Sequence, residues 1–498
     1  MMQNNMLEKI ADRLTLAGVR RAFFYFFILL YLAICPVVLF YAFGFIIKPK
    51  EQKLVQTGLV SINTYPSGAS IYLGPSRYVQ RSPAILSELL PGRYNVRISL
   101  NQYRPWSQSF YVNAGKAVLF DKILLLPNVL SPRTINRESF LNIVPLEGSP
   151  HCILVKGRTF KDNYIFDGSE IRPEPLASRI FLYAGARLQD VATIQDNPLA
   201  VLTLILQKEP KYLLLQADKD SLTDISTIIV RPPERFFLDP GDTSTLYSLY
   251  KDQIDMIKPQ AGAVYPEYLE RARGFGARDK KLYVLSHEGI LLRMNQDRSN
   301  PEILLSDASV SASIFTPKGF YEIRPLPAGT FVFLGEDGQL ATNHLPHRIC
   351  DSGCRGISFD DQHDRILFWT KNDIGTVEFL HDNPEGDPVS NGSIVQYVSR
   401  TGGDIKQCFW VYDGSHILFR DANKVFLAEL MPQGLPHIEF LIQVKNNTDI
   451  FYSEETGTLY YLDASMEGLQ ALNILPENAP AALPQTETEK SAASDKKP

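Results

Sequence analysis

Cysteine is scarce in this chain of 498 residues, which carries only Cys35, Cys152, Cys350, Cys354 and Cys408. That count excludes a disulfide-built scaffold. A dominant charge is lacking too: 50 Lys and Arg face 55 Asp and Glu, for a formal net charge of −5. No basic stripe rises above this balance, so nucleic acid is not expected as a partner. The phosphate loop G-x-x-x-x-G-K, the nucleophile elbow G-x-S-x-G and the zinc motif H-E-x-x-H are all absent. No spacing of Ser, His and Asp assembles a triad. The acidic knot of Asp360, Asp361, His363 and Asp364 lacks the alternating ligands and turn glycine of a calcium loop. These absences leave no catalytic residue, no cofactor and no metal site to assign. The chain reads as a non-enzyme.

What is present begins with one apolar run. Residues Ala22 to Ile47 contain no charged side chain. As a helix this run would extend about 39 Å, and a bilayer core needs only about 20 such residues. The run is too long for a signal-peptide core, and no A-x-A cleavage triplet follows it. Ile34 before Cys35 is too bulky for a lipoprotein cleavage site. The expectation is therefore an uncleaved transmembrane helix over 22–47 whose partner is the lipid bilayer, with Pro36 as a mid-span kink. Lys9, Arg13, Arg20 and Arg21 precede the run, and Lys48, Lys50 and Lys53 follow it. The Arg20-Arg21 pair at the apolar edge favours a cytoplasmic N-terminus. Residues 1–21 then form a cytoplasmic tail, read as a helical extension of the span, and 48–58 form a short linker. Everything beyond is extracytoplasmic in a single-pass protein of the cell membrane.

From residue 59 the pattern changes to period two. Val60, Ile62 and Thr64 share one face, as do Ala69, Ile71 and Leu73, and Tyr94, Val96, Ile98 and Leu100. Turns fall at Pro66-Ser67-Gly68, Pro91-Gly92 and Asn113-Ala114-Gly115. The expectation is a compact antiparallel unit over 59–127 that folds on itself as a sandwich. Pro66-Ser67-Gly68-Ala69, Ile71-Tyr72-Leu73-Gly74, Ser82-Pro83, Leu89-Leu90-Pro91-Gly92-Arg93-Tyr94 and Leu126-Pro127 occur in an order that resembles the PEGA domain. Ser67 stands where the family's Glu would be, Gln102-Tyr103 replaces its Gly-Tyr, and Gly74 to Tyr78 makes a longer hairpin tip. The resemblance implies a small β-sandwich of bacterial surface or envelope proteins, often beside a membrane anchor, with no catalytic residues. Arg104-Pro105-Trp106 is a candidate contact loop, and the plainer alternative has Trp106 capping the little core.

Over 128–475 a hairpin unit recurs, starting at Tyr212, Leu246, Leu282, Phe331, Ile366, Ile417 and Ile450, at intervals of 34, 36, 49, 35, 51 and 33 residues. Such spacing resembles the blades of a β-propeller, here with seven or eight blades. Two β-sandwiches in series are the alternative. Ser453 to Tyr460 resembles one degenerate aspartate box, read as an ordinary blade hairpin. The longest breaks are 258–281 and 381–404. The first is expected to carry helical turns after Pro266 and to form a binding loop with Arg271, Arg273 and Arg278. Cys350 and Cys354 follow His344 and His347 closely, leaving a local disulfide, a zinc cluster or two free thiols open. Cys152 and Cys408 are a second candidate pair if the domain closes into a ring. The tail 476–498 is rich in Pro, Ala, Thr and Ser and is expected to be disordered.

The fold class is thus mainly β: one N-terminal transmembrane helix, a small PEGA-like sandwich, then the propeller. The function expected is a membrane-tethered scaffold of the bacterial envelope whose propeller binds a protein or a polysaccharide. The alternatives are a propeller hydrolase or lyase acting on envelope glycans or peptides, and a purely structural envelope component.

Overall fold

The computed structural model describes residues 4–48, 53–146, 149–172, 174–193, 199–306, 313–316, 319–326, 329–360, 363–379, 392–430, 436–465 and 468–475. The tail from 476 and residues 381–391 of the 381–404 break lie outside the described residues; Gly392–Ser399 of that break is a strand. The chain divides into two compact units, the first ending at Val129 and the second beginning at Leu130.

In the first unit a single helix runs Asn4–Ala42 with Pro36 inside it. The segment Phe23–Ala42 is long and apolar enough to cross a membrane, and none of it is packed inside the protein. The helix stops earlier than the apolar run does. Gly44 adopts a left-handed φ of 76°, open to glycine at little cost. Its carbonyl accepts from the Thr57 N–H and hydroxyl, both at 2.7 Å. Phe45–Lys48 then pairs as a strand with Lys53–Gln56. The expected span to Ile47 and the linker 48–58 are corrected accordingly: hydropathy continues past Ala42, but Gly44 ends the helix.

Beyond it, two sheets face each other. One holds Ala84–Leu89, Gly58–Tyr65 and Ala117–Leu124; the other holds Ser76–Arg81, Ser70–Leu73, Gly92–Ser99 and Trp106–Val112. The alternating residues fill the space between. Val60, Ile62, Ile71, Val96 and Ile98 are buried, and Trp106 meets the Phe120 ring edge-on at 5.6 Å. Gly58–Tyr65 pairs parallel with Ala117–Leu124, so the expected purely antiparallel unit is corrected. The hairpin tip is only Gly74-Pro75, because Leu73 already opposes Ser76.

The second unit is a succession of antiparallel meanders. The first is Asn142–Pro145, Cys152–Val155 and Asn163–Phe166; the second is Arg187–Thr193, Leu199–Leu206, Glu209–Gln216 and Ser221–Asp224. The third is Arg235–Asp239, Asp242–Tyr250, Gln253–Lys258 and Ala263–Leu269. The fourth and fifth begin at Ala272–Arg278 and Tyr321–Pro325, and these two strands pair in parallel to join both meanders into one sheet. The sixth begins at Gly356–Asp360 and the seventh at Ile405–Val411. The last comprises Phe451–Ser453, Thr458–Leu462 and Leu469–Asn473, and its fourth strand is Arg133–Asn136 from the start of the unit.

Each sheet is apolar on both faces because it is packed between its neighbours. Leu202 and Leu213 of the second meander share a cluster with Ile153 and Ile165 of the first. On the opposite face, Val201 and Leu214 pack with Leu238 and Leu246 of the third. The alternation continues through the third and fourth, the fourth and fifth, the fifth and sixth, and the sixth and seventh. The last meander packs Phe451 and Tyr460 against Phe140 and Cys152 of the first. Between the seventh and the last, the Phe409 and Tyr452 rings lie 6.4 Å apart and polar groups add to the contact. Gln407 exchanges hydrogen bonds with the Ile450 backbone, and buried Arg420 donates to the Thr448 carbonyl and, at 3.2 Å, to Asp449. Sheets packed face to face in sequence order, with the first strand completing the last sheet, make a propeller-like ring.

Candidate functional site

The opening strand of each meander faces the centre of the second unit. Residues on these strands line two adjoining cavities, of about 500 Å³ and about 490 Å³, which share Thr193 and Phe359.

The larger cavity is walled by aromatic side chains: Phe359, Trp369, Phe409, Trp410, Phe451 and Tyr452. Its lining includes Glu454 and Glu455 and, among the described residues, no Lys, Arg or His. The indole N–H groups are used locally, Trp369 toward the Lys406 carbonyl at 3.3 Å and Trp410 toward the Ser358 carbonyl at 3.4 Å. Arg365 stacks 4.9 Å from the Trp410 ring centre and is itself tied to Asp360 at 2.5 Å. Burial, with the Glu454 carboxylate adding to it, pushes the Tyr452 phenol up. The Tyr452 hydroxyl is buried without a hydrogen-bond partner. Cys408 is also in the wall, and burial holds its thiol protonated.

The second cavity is charged but internally paired. Glu322 accepts from Arg235 at 3.1 Å on one carboxylate oxygen and from Arg324 at 2.6 Å on the other. Burial pushes the Glu322 carboxyl up, yet the Arg324 and Arg235 guanidinia outweigh it and hold the group below the usual range. Arg278 donates to the Pro325 carbonyl at 2.7 Å. At the rim, Asp239 accepts from the backbone N–H groups of Gly241, Asp279 and Lys280 at 2.8–2.9 Å, fastening the third meander to the fourth.

The structure redistributes the residues singled out in the sequence. Trp106 is not on a contact loop: it opens a strand, is only 2 % exposed and serves the sandwich core. The segment 258–281 is not an inserted helical loop. Ala263–Leu269 is the outer strand of the third meander, where Pro266 sits at a sheet edge that needs no ladder N–H. Ala272–Arg278 is the opening strand of the fourth. Its glycines mark close packing: a Cβ on Gly276 would fall 1.9 Å from the Ile323 carbonyl oxygen of the neighbouring strand. Arg271 is exposed at the turn between these strands, Arg273 lies 5.7 Å from the Tyr321 ring centre, and only Arg278 reaches the cavity. The expected common binding loop of Arg271, Arg273 and Arg278 is therefore corrected to three separate environments.

Cys350 and Cys354 are free thiols, bonded to the Ser352 and Gly356 carbonyls respectively. Burial pushes the Cys354 thiol up to about 12. Cys152 and Cys408 are free and buried as well. His344 and His347 bond to Thr330 and the Thr342 carbonyl, and no three His, Cys, Asp or Glu side chains converge as metal ligands among the described residues.

The cavity residues Arg235, Glu322, Arg324, Trp410 and Tyr452 were missed in the sequence. For the first four the signal was one strand upstream of a hairpin, whereas Tyr452 lay inside the hairpin read at Ile450. Phe409-Trp410 precede the hairpin at Ile417, and Glu322 and Arg324 precede the one at Phe331.

A family model for the PEGA domain matches residues 57–125. A search of curated protein sequences returned no match. Among solved structures, YCF48 from Cyanidioschyzon merolae is similar at 12 % identity, covering 69 % of this chain and 98 % of its own, with a TM-score of 0.37. The β-propeller domain of Myceliophteria thermophila Cps50 (Swd1) is similar at 8 % identity, over 58 % of this chain and 99 % of its own, with a TM-score of 0.34. Kluyveromyces lactis Hsv2 is similar at 9 % identity, over 60 % and 98 %, with a TM-score of 0.38.

Proposed function

We propose that this chain is a membrane-tethered interaction scaffold without catalytic chemistry, in which the helix is the anchor, the PEGA unit a spacer and an eight-bladed ring the receptor for a protein partner. The observation that carries the reading is the wall of the two central cavities. Aromatic side chains supply contact area in the larger one, and in the second Glu322 is held between Arg235 and Arg324. An acid or base poised for proton transfer needs a carboxyl shifted toward neutrality. Glu322 is instead kept ionised between two arginines. Tethering is supported by the helix Phe23–Ala42, whose apolar side chains have no protein packed on them and so require another apolar medium. Arg20 and Arg21 favour a cytoplasmic N-terminus, and a PEGA-type unit suits the outer face of a bacterial membrane.

A photo-crosslinking amino acid placed at Ser358 in the cavity wall is expected to capture one defined polypeptide in cells. The same probe at Ile438, on the outer strand of the seventh blade, is expected not to. Capture of glycan alone, or equal capture from both positions, defeats the protein-receptor reading. For the anchor, the full chain should stay with membranes through an alkaline carbonate wash. An alkaline phosphatase fusion after residue 130 in a bacterial host should be active, and an inactive fusion reverses the orientation.

A further inference from the structure

The helix and the sandwich belong to one unit, and hydrogen bonds close the join between them. Besides the two bonds from Thr57 to the Gly44 carbonyl, Gln56 donates to the Phe43 carbonyl at 3.4 Å and the Tyr41 hydroxyl donates to Glu88 at 2.8 Å. Glu88 precedes Leu89, which pairs with Gly58. Gly58 packs in turn on Val112, Asn113 and Lys116: a Cβ there would fall 2.5–2.9 Å from their atoms. One end of the sandwich, made of Gly58 with residues 89–93 and 112–116, is thereby fixed where the apolar segment Phe23–Ala42 stops. With that segment in a bilayer, this end meets the lipid headgroups. Its exposed side chains include Arg93 and Lys116, neither with a carboxylate partner among the described residues, and Tyr111 opposite Arg93. Aromatic and basic side chains are what membrane interfaces favour. The outer face of the three-stranded sheet is graded along its length. Leu59 and Ala117 form the first row from the anchored end, and Ile85 and Leu119 flank Ser61 in the next. Leu59, Ile85 and Leu119 are 37 %, 63 % and 53 % exposed. Asn63 and Asp121 follow beyond them. Ser61 lies about 10 Å along the strand from Gly58, close to the headgroup-layer thickness of about 5–8 Å. The face is therefore apolar over the stretch nearest the anchor and polar past it.

We propose that the anchored end of the sandwich, with the apolar half of this sheet face, is a docking surface for the lipid bilayer and favours anionic lipids. Arg93 and Lys116 meet the headgroup phosphates, and Leu59, Ile85 and Leu119 lean into the layer beneath them. Exposed apolar patches of this kind mark interaction surfaces. The fixed join selects lipid as the occupant, because it holds this end of the sheet at the depth where the helix leaves the bilayer. Tyr41 already occupies the Glu88 carboxylate, so the charge left at this end is basic. The proposal rests on the tether reading above and adds that the first folded domain is seated on the membrane rather than held off it.

The test uses the full chain reconstituted into vesicles of phosphatidylcholine, alone or mixed with phosphatidylglycerol, with a quencher carried on the lipid headgroups. A fluorescent amino acid replaces Leu119 in one sample and Ser67 in another, Ser67 being in the turn after the far end of the strand Gly58–Tyr65. The probe at Leu119 is expected to be quenched, and more so with phosphatidylglycerol. The probe at Ser67, about 30 Å along the chain from Gly58, is not. Arg93→Ser with Lys116→Ser should lower the ratio of docked to undocked chain about tenfold to thirtyfold in the anionic vesicles and leave the neutral ones unchanged. Ile85→Ser should lower it about threefold to tenfold in both. No quenching at Leu119, equal quenching at both positions, or quenching unchanged by both variants overturns the proposal. Shielding at Leu119 that follows the protein-to-lipid ratio and not the quencher marks a second copy on this face and overturns it too. A chain that survives the carbonate wash with an unquenched Leu119 probe keeps the tether and removes the docking surface. A chain that washes off after its Leu119 probe was quenched does the reverse.

Discussion

The sandwich and the ring both close by pairing an early strand with a late one, but over very different lengths. In the sandwich Leu59 pairs with Ala117. In the ring Thr134 donates to Gln470, 336 residues away. By loop entropy alone the longer closure costs about 1.5 kcal/mol more. The larger difference is in where the apolar side chains go. The sandwich has one centre, in which Trp106, Phe110 and Phe120 touch one another's neighbourhood. The ring spreads its core over successive clusters between sheets, with buried polar bonds added where the seventh meander meets the last. A single-centred unit concentrates its stability in a few large side chains. A ring depends on every interface, and its tightest constraints lie where backbones approach or a charge is buried.

The largest effect is expected in the sandwich. Trp106→Ala should remove about 3–5 kcal/mol there. Hydrogen exchange followed by mass spectrometry should show lost protection in peptides from 58–124 and none in peptides from 142–473. Loss in both would show that the units do not unfold separately. In the ring, Arg420→Ala should cost about 2–4 kcal/mol, because the side chain is buried and its loss leaves the Thr448 carbonyl without its donor. Urea unfolding would measure it, and Arg420→Met should recover part of the loss by refilling the volume. If alanine is neutral, the Arg420 bonds do not help to hold the ring shut.

Gly276→Ala is expected to cost about 1–3 kcal/mol, since the new methyl group must push the fourth and fifth meanders apart. Gly185, with open space around it, is the control, and Gly185→Ala should be near neutral. The smallest effect concerns pH. The Glu322 carboxyl is held below its ordinary value of 4.5 in the folded chain. Its contribution is therefore fully present above that value and is lost as pH falls through the lower, folded one. Acid titration of urea midpoints should show a steeper fall below pH 4.5 in the native chain than in Glu322→Gln. Identical slopes would mean that the two arginines do not hold this carboxylate.

Much of the architecture was legible because it depends on period and spacing. The hairpins read at Leu246, Leu282, Phe331, Ile366 and Ile417 are the second and third strands of five consecutive meanders. These strands are packed on both faces and so carry dense apolar runs. The opening strands were not legible, because they face a cavity and mix arginine, glycine and aromatics. ARGFGAR over 272–278 has the composition of a loop and is a strand, with Gly274 and Gly276 admitting the neighbouring backbone. The candidate site lies on these strands, which is why the sequence offered Arg271 and Trp106 in place of Arg235 and Tyr452.

Local chemistry decided what the sequence alone could decide: one apolar helix near the start, an alternating seven-stranded unit matching PEGA at 57–125, and a hairpin array after it. Helix length, strand period and turn residues are short-range properties, written within a few residues of where they act. The return of Arg133–Asn136 to the last sheet, the parallel joining of two meanders, and the gathering of Trp369, Trp410, Tyr452 and Glu455 around one cavity came only from the tertiary structure. Those contacts join residues up to hundreds of positions apart. No local pattern encodes them, because they follow from the order in which complete sheets stack around a common centre.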